Sequence, residues 1–485
     1  MAVFDTRMAT QLFNAFDARN VAFGTHVSHS STSYVWNTTG HDRIHIEGVG
    51  ITVDGNNLPT GGTVKKVSID LNADGDIDGV ISGVNVALTG LVESPDSFWQ
   101  SLLKGHDVIY APATFGGVMF GDFLNVIGDT TVIGGRDTLA GGTGAGQNLY
   151  GDAQAVGAHH DLGGAAGTLT GGRDTIVANN TTGNSLIIGD ARVVEVNGRL
   201  NGNGDILTGS NTQGDTIIGD AERVFNSTAS CGNDIINGRG GDDLLIGDVR
   251  DVQRFPGAAD GPSVAGRHDL INGGDGDDAI YGDFVSVSDN QVGAISNASC
   301  GNDRLYGNDG NDVIYGDLKI GNDAITIYGR DQIYGGAGND IIYGDAASFS
   351  AGLPPDANVG GHDLIYGGTG NDFVDGGVGN DRIFGEAGMD TLIGGFGNDQ
   401  LTGGADADVF RFETGSGLDR ILDFEDEIDT IEISASYGYA DAAAVIATAS
   451  VSGSNITLHL SPTDKITLLD FGTDPNVLLN DITII

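Results

Sequence analysis

Six aspartates stand nine residues apart: Asp363, Asp372, Asp381, Asp390, Asp399 and Asp408. The residue two places after each is apolar: Ile365, Val374, Ile383, Leu392, Leu401 and Phe410. A glycine-rich turn precedes most of them, as in Gly367-Gly368-Thr369-Gly370-Asn371-Asp372. A unit this short cannot bury its one apolar side chain alone. It folds only by stacking on copies of itself. The carboxylates then stack as well.

The same phrase recurs upstream in pairs. Asp234 and Asp243, Asp269 and Asp278, Asp303 and Asp312, and Asp331 and Asp340 are each nine residues apart. Their apolar followers are Ile236, Leu245, Ile271, Ile280, Leu305, Ile314, Ile333 and Ile342. A Gly-Asp dipeptide follows each pair, ending at Asp248, Asp283, Asp317 and Asp345; earlier ones end at Asp122, Asp152, Asp190 and Asp220. Successive Gly-Asp glycines are 28 to 38 residues apart, which defines a longer, looser period. Short alternating segments such as Phe284-Val285-Ser286-Val287 follow them and read as strands. Each long unit therefore reads as one solenoid coil of three short strands and a variable loop. From Asp363 to Phe410 the third strand is gone and each coil holds two nonapeptides. Glycine supplies the positive φ that such tight corners require.

A formal net charge of -45 repels nucleic acid and anionic membrane surfaces. Disorder does not explain the charge, because 39% of residues are hydrophobic and the apolar ones are periodic. Stacked coils lie ~4.8 Å apart, so neighbouring carboxylates in a column repel by roughly 1 kcal/mol even in bulk water. Hard divalent cations turn that repulsion into bridging, and flexible oxygen coordination suits calcium better than magnesium. The metal ligands expected are Asp234, Asp243, Asp269, Asp278, Asp303, Asp312, Asp331, Asp340, Asp363, Asp372, Asp381, Asp390, Asp399 and Asp408.

The phrase Gly-Gly-x-Gly-x-Asp-x-apolar-x, clearest at 335–343 and 376–384, resembles the nonapeptide of RTX proteins. The likeness is strong between about residues 231 and 410 and fainter from about 115 to 230. It implies an all-β fold, a right-handed parallel β-roll or β-helix solenoid, with calcium between successive turns. It also implies export by type I secretion machinery with an uncleaved C-terminal signal. Gln147 and Ser185 stand where the pattern expects aspartate. Calcium ligation is therefore expected to be densest from Asp234 to Asp408, with the first coils relying more on packing.

Weaker candidates surround this set. Asp220, Asp248, Asp283, Asp317 and Asp345 of the Gly-Asp column suit either an Asx-type turn or a second row of cation sites. Asp70, Asn72 and Asp74 begin an EF-hand-like loop that has Ile81 at its twelfth position, and suit either calcium or an acidic turn. Five histidines (His41, His106, His160, His268 and His362) directly precede an aspartate and read as polar corner residues. Cys231 and Cys300 occupy like places two coils apart, so a disulfide between them is not expected. His41-Asp42-Arg43-Ile44-His45 lacks the glutamate and the helical context of a zinc protease motif. No Gly-x-Ser-x-Gly nucleophile elbow occurs, and no apolar run is long enough for a membrane span.

Residues 1–110 read as a β-rich cap with a short helix near 96–103, residues 111–360 as the long-coil solenoid and residues 361–410 as the tight β-roll. Residues 411–485 read as a C-terminal cap ending in a secretion-signal-like or last-strand segment. No secretory signal peptide is expected at the N-terminus. The chain as a whole reads as a secreted, calcium-binding, non-enzymatic structural protein that folds after export. It would build a cell-surface layer, matrix or filament through self-association. The alternative is a calcium-dependent adhesin or binder of cell-surface polysaccharide, using the loops at 254–266 and 350–360.

Overall fold

At every second aspartate from Asp243 to Asp390 the Asp-x-apolar-x phrase becomes a strand of three residues whose middle side chain is fully buried. In a computed structural model of the chain, Leu244–Ile246, Ala279–Tyr281, Val313–Tyr315 and Ile341–Tyr343 are such strands. Their central residues Leu245, Ile280, Ile314 and Ile342 are fully buried. The structure describes strand segments within residues 2–126, then residues 131–134, 136–141, 147–156, 168–194, 198–225, 227–254, 262–289, 297–320, 325–346 and 360–485. The chain forms two compact units, residues 1–216 and 217–485.

In the second unit the strands pair in parallel with their equivalents one coil on. Ile235–Gly240 pairs with Leu270–Asp275, then Arg304–Asp309, Gln332–Ala337, Leu364–Thr369, Arg382–Ala387 and Gln400–Ala405. The register aligns Ile236, Ile271, Leu305, Ile333, Ile365, Ile383 and Leu401, all buried. Branched and leucine side chains thus fill a narrow core, each stacked on its copy.

Each long coil has four strands, where three were expected. After Val249–Arg254 and its loop, the chain returns through Ser263–Ala265, which pairs with Thr228–Ser230 and Asn297–Ser299. This fourth strand has a single inward residue, Val264, so its three residues carry too little alternation to stand out from the loop. Coils shorten to 18 residues between Asp363, Asp381 and Asp399, as expected. A short parallel pair, Val378–Gly379 and Phe396–Gly397, remains there in line with the corner that follows the fourth strand of the long coils.

The corner glycines meet their expected need at Gly276, Gly310 and Gly338, where φ is 137°, 149° and 141°. The register also places Arg239 (φ 76°), Asn308 (φ 78°) and Glu386 (φ 80°) in line with Gly274, Gly336 and Gly404. The stack imposes a left-handed backbone there even where a side chain must be accommodated.

Beyond Val409–Phe412 the parallel stack continues through Thr430–Ile433 to Ile482–Ile484, and Leu418–Ile421 pairs with Lys465–Leu468. The antiparallel hairpin Ser450–Ser452 and Asn455–His459 lies against Lys465–Leu468. A short helix, Ala442–Ile446, is capped by Asp441, whose side chain accepts the Ala444 N–H at 2.9 Å.

The first unit repeats the parallel plan with four strands per coil, as in Val108–Tyr110 to Thr138–Ala140, Thr175–Val177 and Ile206–Thr208. It also contains the antiparallel set Ser33–Asn37, Arg43–Val53, Pro59–Asp70 and Gly79–Ala87. His45 lies in the strand Arg43–Val53, and His41 lies outside the described residues. The helix expected near 96–103 lies outside the described residues. Among the described residues no helix is long and apolar enough to cross a membrane.

Candidate metal centre

The aspartates form two ladders along the second unit. In the first, the backbone N–H of Asp269 donates to Asp303 Oδ1 at 2.7 Å, and Asp303 N–H to Asp331 Oδ1 at 2.7 Å. The series continues from Asp331 to Asp363, Asp381, Asp399 and Asp419 at 2.8 to 3.0 Å. The second runs Asp243, Asp278, Asp312, Asp340, Asp372, Asp390, Asp408 and Asp429, each step at 2.8 to 3.0 Å. Asp234 joins the first ladder by donating to Asp269 Oδ1 at 2.6 Å. All fourteen expected ligands therefore stand on these two ladders.

From Asp269 to Asp399 on the first ladder and from Asp278 to Asp390 on the second, the backbone uses one oxygen of each carboxylate and leaves the other. Oδ2 of Asp269, Asp278, Asp303, Asp312, Asp331, Asp340, Asp363, Asp372, Asp381, Asp390 and Asp399 is buried and receives no hydrogen bond. It faces a glycine whose Cβ, if present, would overlap it. A Cβ at Gly273, Gly307, Gly335 or Gly367 would meet Oδ2 of Asp278, Asp312, Asp340 or Asp372. The same Cβ would meet the carbonyl oxygen of the next coil's equivalent residue, Gly307, Gly335, Gly367 or Gly385. Gly247, Gly282, Gly316 and Gly344 do the same for Asp269, Asp303, Asp331 and Asp363. The glycine of the Gly-Asp dipeptide therefore clears space beside a carboxylate of the first ladder. Each cradle is lined by a carboxylate oxygen and a peptide carbonyl, a hard all-oxygen donor set of the kind calcium takes. The residues present fit that ion.

The electrostatics show how costly the ladders are without a cation. Burial pushes Asp312, Asp340 and Asp408 up to about 7, and Asp278 and Asp390 up to about 6. Burial first, and neighbouring carboxylates second, hold Asp269, Asp303, Asp331 and Asp381 well above the usual carboxylate range.

Two ladder members, Asp419 and Asp429, fall outside the expected set. Their signal is present in the sequence: Ile421 and Ile431 follow two places on, but the spacing stretches to 20 and 21 residues. In the first unit Asp137, Asp174 and Asp205 make a like ladder, at 2.7 Å per step, and were equally unassigned. Gln147 and Ser185 take ladder places: Gln147 N–H donates to Ser185 Oγ at 3.1 Å, and Ser185 N–H to Asp215 Oδ1 at 2.6 Å.

The Gly-Asp carboxylates bond across the coil. Asp220, Asp248, Asp283, Asp317 and Asp345 are wholly buried. They accept the N–H groups of Gly232, Arg267, Gly301, Gly329 and Gly361, 12 to 19 residues on. Each carboxylate ties its own turn to the corner after the fourth strand, a contact that depends on where the loop returns. Of the weakest candidates, Asp70 ends the strand Pro59–Asp70, and Asn72 and Asp74 lie outside the described residues.

The two described histidines of the five are corner residues. His268 and His362 accept the Asn302 and Asn380 N–H groups through Nδ1, both at 2.7 Å. Asparagine does the same elsewhere, as Asn302 Oδ1 does for Arg330 N–H at 2.7 Å. His41, His106 and His160 lie outside the described residues. Cys231 and Cys300 are free thiols, as expected.

The family model for the RTX calcium-binding nonapeptide repeat, in four copies, matches residues 231–249, 266–284, 300–318, 328–348, 359–388 and 384–418. The chain carries RTX repeats. These segments hold the fourteen expected ladder aspartates, from Asp234 to Asp408, and the RTX repeats bind calcium at multiple sites. A solved structure similar to the chain is the extracellular lipase LipA from Serratia marcescens, at 16% identity and a TM-score of 0.20. The likeness covers 50% of this chain and 45% of the lipase, so the chain spans less than half of that protein's length. No curated protein matches the chain.

Proposed function

We propose that this RTX protein is an exported, non-catalytic structural protein whose array folds on calcium outside the cell and builds a surface layer, matrix or filament. The observation that carries the reading is the row of buried, undonated Oδ2 atoms on the two ladders. At low cytosolic calcium these carboxylates repel and favour an unfolded, export-competent chain. Calcium, when bound, would supply the positive charge that the oxygen-lined cradles lack. The chain's own residues do the rest: the Oδ1 ladder fixes the register, the glycines clear the cradle and the inward branched side chains close the core. Because the site is complete only when coils are stacked, binding free energy is folding free energy. Millimolar extracellular calcium suits the weak affinities of extracellular modules.

The division into an N-terminal cap (1–110), long coils (111–360), tight coils (361–410) and a C-terminal cap (411–485) belongs to this proposal. So does passage through type I secretion machinery, which RTX repeats imply. The non-catalytic reading is supported by a sequence without a nucleophile elbow and by the strand at Arg43–Val53, which holds His45. Circular dichroism in chelator and in millimolar calcium tests the folding step. A strong β signal is expected only with calcium, and an equal signal in chelator refutes it. Electron microscopy of the calcium-loaded protein tests the assembly step. Ordered polymers are expected; monodisperse particles favour the calcium-dependent adhesin instead.

A further inference from the structure

The corner that closes each long coil carries chemistry that the calcium ladders do not use. Cys231 Sγ and carboxylate oxygens of Asp220 and Asp248 all lie within 4.8 Å of one another. Cys300 forms the same cluster with Asp283 and Asp317. Asp248 is wholly buried, and its Oδ1 receives no hydrogen bond. The strand register Ser230, Ala265, Ser299 places Cys231, Gly266 and Cys300 in line on consecutive coils. A Cβ at Gly266 would overlap Asp283 Oδ1 and come within 2.6 Å of Asp248 Oδ2. The middle rung therefore has room for glycine only, and the thiols occupy alternate rungs. Each thiol has its own carboxylate pair: Asp220 and Asp248 for Cys231, Asp283 and Asp317 for Cys300.

We propose that these clusters are two thiolate–carboxylate metal sites for a thiophilic divalent cation such as Zn2+ or Cd2+, separate from the oxygen-only calcium cradles. A sulfur ligand selects against calcium and for softer ions. Three protein ligands and one further position match the tetrahedral preference of zinc. The S–H bond breaks on binding, the proton leaves to solvent, and the thiolate donates its electron pair to the cation; nothing is oxidised or reduced. The dication offsets charge that the two carboxylates and the thiolate would otherwise leave buried and unpaired. The competing arrangement is a neutral thiol that donates S–H to a carboxylate and binds no metal.

The test uses the full chain folded in saturating calcium and titrated with Cd2+, followed by the sulfur-to-metal charge-transfer absorption. The band is expected to saturate at two equivalents, one per cysteine. It should halve in Cys231→Ser and in Cys300→Ser and vanish in the double variant. Asp248→Asn should weaken the Cys231 site alone, by at least about tenfold, the scale on which even outer-shell partners act. Far-UV circular dichroism in calcium establishes that each variant is folded. A band that never forms overturns the proposal, as does one that persists in the double variant. Displacement of Cd2+ by added calcium also overturns it and makes this corner a third calcium row.

Discussion

The first unit contains a ladder that runs from Gln147 through Ser185 to Asp215. The corresponding ladder of the second unit has aspartate at every rung from Asp243 to Asp429. Both satisfy the backbone N–H groups, and Ser185 does so with a hydroxyl that carries no charge. The hydrogen-bonded ladder therefore does not require carboxylates. What aspartate adds is a second oxygen, buried and undonated from Asp278 to Asp390, which is the part that calls for a cation.

Calcium removal is the strongest test of that difference. In chelator the coils from Asp234 to Asp429 should lose most of their amide protection, while those from 131 to 215 keep a larger share. Hydrogen exchange read by mass spectrometry checks this, and earlier opening of the first unit breaks the comparison. Asp312→Asn has a smaller effect. It keeps an oxygen for the Asp278 N–H but removes charge from the cradle at Gly307. The calcium concentration at the folding midpoint should rise about tenfold, equivalent to ~1.4 kcal/mol. An unchanged midpoint in a calcium titration would show that the charge of that rung is not used.

The smallest effect is on pH dependence. Asp312, Asp340 and Asp408 are pushed up to about 7 by burial, so the folded, metal-free chain holds protons that the unfolded chain has released. Their contribution is fully present below about pH 4, the ordinary carboxylate range, and is lost as pH rises through about 7. In chelator, the β signal of the second unit should therefore grow when pH falls from about 8 to about 5. With saturating calcium this trend should vanish or reverse, because protons then compete with the ion. A metal-free signal that does not vary with pH would mean that the ladders are solvated.

Much of this was legible because stacking carries a linear pattern directly into space. The Asp-x-apolar phase at nine residues determined the parallel register, the inward side chains and the fourteen ladder aspartates. Asp419 and Asp429 obey the same phrase but escaped it because their spacing drifts once glycine thins out. The fourth strand escaped because a three-residue element with one buried side chain looks like loop.

By itself, then, the sequence determined a repeating all-β stack with aspartates in columns, since period and residue type alone decide which side chains meet their copies. The tertiary structure decided how each carboxylate is divided: Oδ1 to the neighbouring coil's backbone, Oδ2 to an oxygen-lined cradle opposite glycine. It also decided that the Gly-Asp carboxylates reach across to the closing corner and meet Cys231 and Cys300 there. Loop length sets where a coil returns, and no local pattern encodes that contact, because its partners are distant in sequence and meet only once the coil has closed.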